Sequence, residues 1–186
     1  MVSAHIDRLD CEHAQLLAID FQERLLPSIT DHAAVLAQAE RMIRAAVVLE
    51  LPITVSEQYP RGLGATAPGI LAAAQGATRL EKMTFSFCAD TACRQRVSEV
   101  MRPQVLIVGI EAHVCVYQTA LDLLAMQMRP VVLADAVGSR RPFDHAIALD
   151  GLRAAGVRVT TVESAIFQLV HEAGTDLFKR ILPIVR

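Results

Sequence analysis

The sequence predicts a three-layer α/β fold, a doubly wound, six-stranded parallel sheet covered by helices on both faces. Three observations predict it. Short apolar runs alternate with longer segments of helical period, which is the pattern of successive βα units. The chain of 186 residues is 53% hydrophobic and 20% charged, enough apolar material for a substantial core. No Pro/Gly/Ser tract, repeat or low-complexity stretch divides it, so residues 1–186 are read as a single domain.

Taken in order, "QLLAID" supplies a first strand that ends at Asp20. The segment Asp31 to Leu49 places Val35, Met42, Ile43 and Ala46 on one helical face, with Asp31 as its candidate cap. Five further strand candidates follow: "PITVSE", "TRLEKM", "QVLIVGI", "PVVLADAV" and "VRVTTVE". Helical stretches separate the later ones near Thr91–Met101, His113–Met128 and Phe143–Ala155. The apolar tail "LFKRILPIV" is expected to bury itself against its own domain or a partner.

Composition narrows the function. A formal charge of −2, without clusters of Lys and Arg, offers no electrostatic footprint for nucleic acid and no basic amphipathic surface for a membrane. The apolar runs are strand-sized, too short to cross a bilayer, and "MVSAHIDRLDCEHAQ" lacks the apolar centre of a secretory signal. Cys11, Cys88, Cys93 and Cys115 show no zinc-finger spacing and do not suggest a disulfide framework. A reducing compartment, the cytoplasm or a mitochondrion, is expected, with a small molecule as substrate.

Ligands of such sheets bind beyond the carboxyl ends of the strands, near the point where strand order reverses. Asp20 ends "LLAID", Lys82 ends "TRLEK", and Cys115 follows "VLIVGIEAH" at what reads as a helix start. Singly, each has an ordinary explanation. An Asp there is often a turn residue, a lone Lys is usually solvated, and a lone Cys is usually a small buried hydrophobe. Together they supply a nucleophile, a carboxylate to carry its proton and a cation to favour the thiolate. On this reading the helix start and Lys82 lower the pKa of the Cys115 thiol.

Other candidates carry less. Gly62, Gly64 and Gly69 do not fit a dinucleotide-binding spacing and read as a flexible loop bordering the site. His113 lies two residues from Cys115, where side chains diverge at a helix start. Cys88 and Cys93 read as structural or incidental thiols, and His5, His13, His32, His145 and His171 are dispersed. Phe21, Tyr59, Phe85 and Phe87 are near the candidate triad in the chain and are expected to line an apolar substrate pocket or to belong to the core.

The segments "LLAIDFQERLLPSI", "SEQYPRGLGATAP", "EKMTFSFC" and "VGIEAHVCVYQTALDLL" resemble matching segments of the isochorismatase-like cysteine hydrolases, especially the isochorismatase domain-containing group. The likeness runs from about Gln15 to the C-terminal tail. It implies Asp20, Lys82 and Cys115 as a catalytic triad, and a cis Ile110–Glu111 peptide that turns the amides of Glu111 and Cys115 into an oxyanion hole. A homo-oligomer, dimer or tetramer, is implied as well. Relatives that hydrolyse isochorismate work without the cysteine, so Cys115 argues against that substrate. Nicotinamidases carry an Asp-x-His and a further His where this chain reads "SEQYPRGLG", and a single carboxylate there is a poor metal site. No metal and no cofactor are therefore expected. The reading is a metal-independent cysteine hydrolase that cleaves a small amide-like substrate through a covalent thioester. The alternative is a catalytically weak protein of the same fold that serves as a binding or interaction module.

Overall fold

The computed structural model describes residues 8–186; the expectation for His5 lies outside them. Its sheet contains β1 (Ala14–Ile19), β2 (Ile53–Gln58), β3 (Thr78–Lys82), β4 (Gln104–Ile110), β5 (Arg129–Gly138) and β6 (Arg158–Thr160). All pair in parallel, in the order β3-β2-β1-β4-β5-β6. The chain winds outward from β1 to one edge and then returns to build the other half from β4. The reversal falls between β1 and β4, where Ile19 pairs with Gly109.

Strand side chains alternate between faces, and the core divides accordingly. Leu16 and Ala18 of β1, with Leu106, Val108 and Ile110 of β4, belong to one apolar cluster. Leu17 and Ile19, with Val105 and Ile107, belong to the second. The first cluster is covered by α1 (His32–Val48), α7 (Val162–Val170) and α8 (Asp176–Val185). The second is covered by α4 (Thr91–Glu99), α5 (Tyr117–Ala125) and α6 (Pro142–Ala154). In α1 the buried residues Val35, Ala39, Met42, Ile43 and Ala46 recur at helical spacing. Truncating Ile43 to Ala would cost about 2–5 kcal/mol, because the side chain is fully buried.

Gly109 is required where the two halves meet. Its φ is +153°, and a Cβ there would stand 2.6 Å from the carbonyl oxygen of Ile19. Any side chain would push β4 from β1 at the strand ends that carry the site.

Several local expectations are corrected. Asp31 occupies the N-cap position of α1 in a left-handed conformation (φ 52°), and its side chain makes no capping bond. The last strand stops at Thr160, because Thr161 caps α7 by accepting from Ser164 N–H, and the remaining "VE" enters the helix. The glycine-bearing loop contains two short helices, α2 (Pro60–Leu63) and α3 (Pro68–Ala73), each with proline in its first turn. The expectation for the tail holds: it forms α8 and buries against its own domain, packing on α1 with Ile181 fully buried.

Candidate active site

The strand order brings the three candidate residues to one end of the sheet. Asp20 follows β1 directly, in a left-handed conformation (φ 56°), with its amide donating to Ser56 O at 3.1 Å. Lys82 is the last residue of β3 and pairs with Gln58 of β2. Cys115 lies in a π-helical turn, Ala112–Val116, between β4 and α5. That turn begins just beyond the Ile110–Glu111 peptide, which is cis. Cys115 thus stands in the irregular first turn of the helical segment.

Asp20 and Lys82 form a buried ion pair, Nζ to Oδ2 at 2.7 Å, with both side chains inaccessible. The ammonium also donates to Gln58 Oε1 at 2.8 Å, to Phe85 O at 3.1 Å and to Thr84 O at 3.2 Å. Four acceptors share its three protons, so the cation is held without water. The other oxygen of Asp20, Oδ1, accepts from Ser56 Oγ at 2.7 Å.

The thiol of Cys115 lies close enough to Asp20 and Lys82 for both charges to act on it. Burial pushes the thiol up to about 12, the Asp20 carboxylate adds to the rise, and the Lys82 ammonium opposes it. This corrects the expectation of a lowered thiol pKa. Lys82 spends its charge on Asp20, so the thiol faces a nearly neutral ion pair inside an apolar wall, and desolvation decides the outcome.

Cys115 lines a cavity of about 530 Å³ together with Phe85, Glu111, His113, Arg140 and Arg141, among others. Glu111 and Arg140 form a forked pair, with Nη2 to Oε1 at 2.6 Å and Nε to Oε2 at 3.0 Å. Burial works against the Glu111 charge, but the Arg140 bonds prevail and hold its carboxyl below the ordinary range. His113 faces the cavity, and its Nδ1 lies 2.9 Å from Ser139 Oγ.

Of the aromatic residues expected at the pocket, only Phe85 lines it. Phe21 is fully buried in the core on the α1 side, because the turn after Asp20 directs it under the sheet. Phe87 is buried on the opposite face. Tyr59 is 47% exposed and lays its ring over Gly62, where a Cβ would sit 2.2 Å from it. Ser56, Gln58, Arg140 and Arg141 were not singled out from the sequence. Strand alternation offers a signal for the first two: positions 56 and 58 share the face of β2 next to the end of β1. The same strand-end rule that finds Asp20 also points to "SRR" after β5.

The side chains of the segment "SEQ" are engaged within the fold. Ser56 holds Asp20, Gln58 holds Lys82, and Glu57 Oε1 accepts from Thr66 N at 2.8 Å and Thr66 Oγ1 at 2.6 Å. Among the described residues, no group of three or more His, Cys, Asp or Glu side chains is arranged to hold a metal ion.

Comparison with known proteins adds the family context. Residues 14–164 match the family model described as the isochorismatase domain. Isochorismatase domain-containing protein 2 of Danio rerio is 38% identical over 178 residues, covering 96% of this chain and 89% of the relative. The structure of the MAR1 ribonuclease from Caenorhabditis elegans superposes with a TM-score of 0.91 at 33% identity, covering 96% of this chain and 92% of that one. The ycaC gene product of Escherichia coli, described as an octameric hydrolase of unknown specificity, shares the fold with a TM-score of 0.88. It is 22% identical, and the match covers 95% of this chain and 91% of that one.

Proposed function

Because this chain belongs to the isochorismatase domain family, which it matches from residue 14 to residue 164, we propose that it is a metal-independent cysteine hydrolase of small amide-like substrates. The observation that carries the reading is the Cys115 thiol in the lining of a small-molecule cavity, beside the buried Asp20–Lys82 pair.

A thiol pushed up to about 12 is protonated at neutral pH, so it cannot wait as a thiolate. The proton passes from Sγ to the Asp20 carboxylate as the Sγ–C bond forms at the substrate carbonyl. The carbonyl oxygen takes the negative charge and is received by the backbone amides of Glu111 and Cys115, at the two sides of the turn. Asp20 then gives its proton to the substrate nitrogen, the C–N bond breaks, and an amine leaves the thioester. Water attacks the thioester carbon, Asp20 takes a proton from the water and passes it to the Cys115 sulfur as the C–S bond breaks and the acid departs, which restores the thiol and the carboxylate. Lys82 gains no proton in this cycle: it holds Asp20 in place and offsets the carboxylate charge whenever Asp20 is deprotonated.

The Caenorhabditis elegans neighbour is named a ribonuclease. The amide reading rests on the thiol, since a sulfur nucleophile paired with a proton-carrying carboxylate suits acyl transfer. A screen of small amides with purified protein, including a short RNA as a competing substrate class, tests it. Burst release of amine, abolished in Cys115→Ala, is the expected result. RNA cleavage without amide hydrolysis would overturn the reading.

A homo-oligomer in a reducing, cytoplasmic setting completes the proposal. Phe143 and Ile147, one turn apart on α6, are 73% and 56% exposed, which suits burial by a second copy. The four cysteines are free thiols. Light scattering on the purified protein tests the assembly.

A further inference from the structure

The proton carrier of the proposed cycle changes charge in each half of the cycle, in a place shut off from solvent. Asp20 is fully buried, and its neighbours must satisfy it both as a carboxylate and as a carboxylic acid. Lys82 suits only the first state, because an ammonium donates and cannot accept. Cys115 parts with its proton at the moment Asp20 receives it. That leaves Ser56, whose hydroxyl is 2.7 Å from Asp20 Oδ1 and whose residue is 1% exposed.

A hydroxyl is both donor and acceptor and turns about its Cβ–Oγ bond to suit. When Asp20 is charged, Ser56 donates to Oδ1, as seen here. When Oδ1 carries the thiol proton, the hydroxyl turns and accepts it as a hydrogen bond. We infer that Ser56 is a positioning residue, the partner that serves Asp20 in both protonation states and holds the carboxylate so that Lys82 takes Oδ2 alone. The inference rests on the hydrolase reading for its part in turnover, while the orientation of the Asp20 carboxylate is a property of the resting site.

The geometry explains why this task falls to residue 56. Ser56 and Gln58 project from the same face of β2, and each holds one member of the ion pair: Ser56 holds Asp20, and Gln58 holds Lys82. The main chain reinforces the first contact, since Asp20 N–H donates to Ser56 O. Without the hydroxyl, Oδ1 loses its 2.7 Å partner, and the carboxylate is free to rotate toward the ammonium.

The test compares the full chain with Ser56→Ala, Ser56→Thr and Ser56→Val. Threonine and valine have the same shape and differ only in the hydroxyl, so a steric fault strikes both and a lost hydroxyl strikes valine alone. Two readouts are taken: the rate of Cys115 alkylation by iodoacetamide near neutral pH, followed by peptide mass, and kcat and KM on an amide that the parent hydrolyses. Alanine and valine are expected to slow alkylation and kcat by roughly tenfold, as loss of a hydrogen bond to a charged group would, with KM nearly unchanged. Threonine is expected to stay within about threefold of the parent. Equal rates for threonine and valine, or parental rates for alanine, would overturn the role of Ser56. If the alkylation pattern holds but the parent hydrolyses no amide, the hydrolase reading falls and the positioning of Asp20 by Ser56 stands.

Discussion

Lys82 Nζ stands 2.7 Å from Asp20 Oδ2, with neither side chain accessible to solvent. Two charges without water are tolerable only as a pair. Removing either partner strands the other, whereas removing both leaves a neutral site.

Lys82→Met is therefore expected to destabilise the protein by about 3–5 kcal/mol. The double variant Lys82→Met/Asp20→Asn should recover a large share of that loss. Denaturant unfolding of the two single variants and the double variant measures the coupling. Turnover should be lost in all three, so the recovery appears in stability alone.

The cysteines set an alkaline limit. Burial pushes Cys88, Cys93 and Cys115 each up to about 12 from the ordinary 9.0. The folded state then holds thiol protons that the unfolded chain releases. Their contribution is fully present below about pH 9 and is lost as pH rises toward 12. The melting temperature should be flat up to that point and fall beyond it. The fall should be shallower in a Cys88→Ala/Cys93→Ala variant, read by thermal scans across the pH range.

Arg140→Ala should lower stability by about 1 kcal/mol, a modest figure because the Arg140 side chain is 54% exposed. Arg140 holds the Glu111 carboxyl below its ordinary value of 4.5, so this support exists above about pH 4.5 and disappears as pH falls through the lowered value. The gap between parent and variant should therefore close in acid, as measured by denaturant midpoints at neutral and acidic pH. Since Glu111 opens the π-turn that carries Cys115, activity should fall with the variant at neutral pH.

Chelation is expected to leave turnover unchanged. Ser56, Glu57 and Gln58 are committed to Asp20, Thr66 and Lys82. Activity assayed after prolonged treatment with a strong chelator, beside elemental analysis of the untreated protein, checks this.

The sheet is legible in the sequence because its central strands, β1 and β4, are nearly continuous apolar runs, and doubly wound topology then places Asp20 and Cys115 together. Lys82 is legible only as a residue at a strand end; its reach to Asp20 depends on the side chain turning inward at the edge of the sheet. The aromatic residues mislead because chain proximity does not specify a face. Phe21 is next to Asp20 in sequence and points into the core, while Phe85 reaches the cavity from a loop. The state of the thiol is hidden for a different reason. A nearby lysine predicts a lowered pKa only if its charge is free, and the ion pair that occupies it exists only after folding. The start of helix α7 is hidden in the sequence because "VRVTTVE" has the β-branched content of a strand, yet Thr161, its fifth residue, serves as the cap.

The cation of the site rides on β3, which has a neighbour on one side only. Edge strands and short outer segments open at lower free energy than the centre of a sheet. The amides that join β3 to β2 should thus exchange with solvent deuterium sooner than those between β1 and β4, and each such opening withdraws Lys82 from Asp20. The site can be dismantled by a local fluctuation while the centre of the sheet remains intact. A ligand that seals the cavity would then be registered as slowed exchange along β3, far from the thiol in sequence.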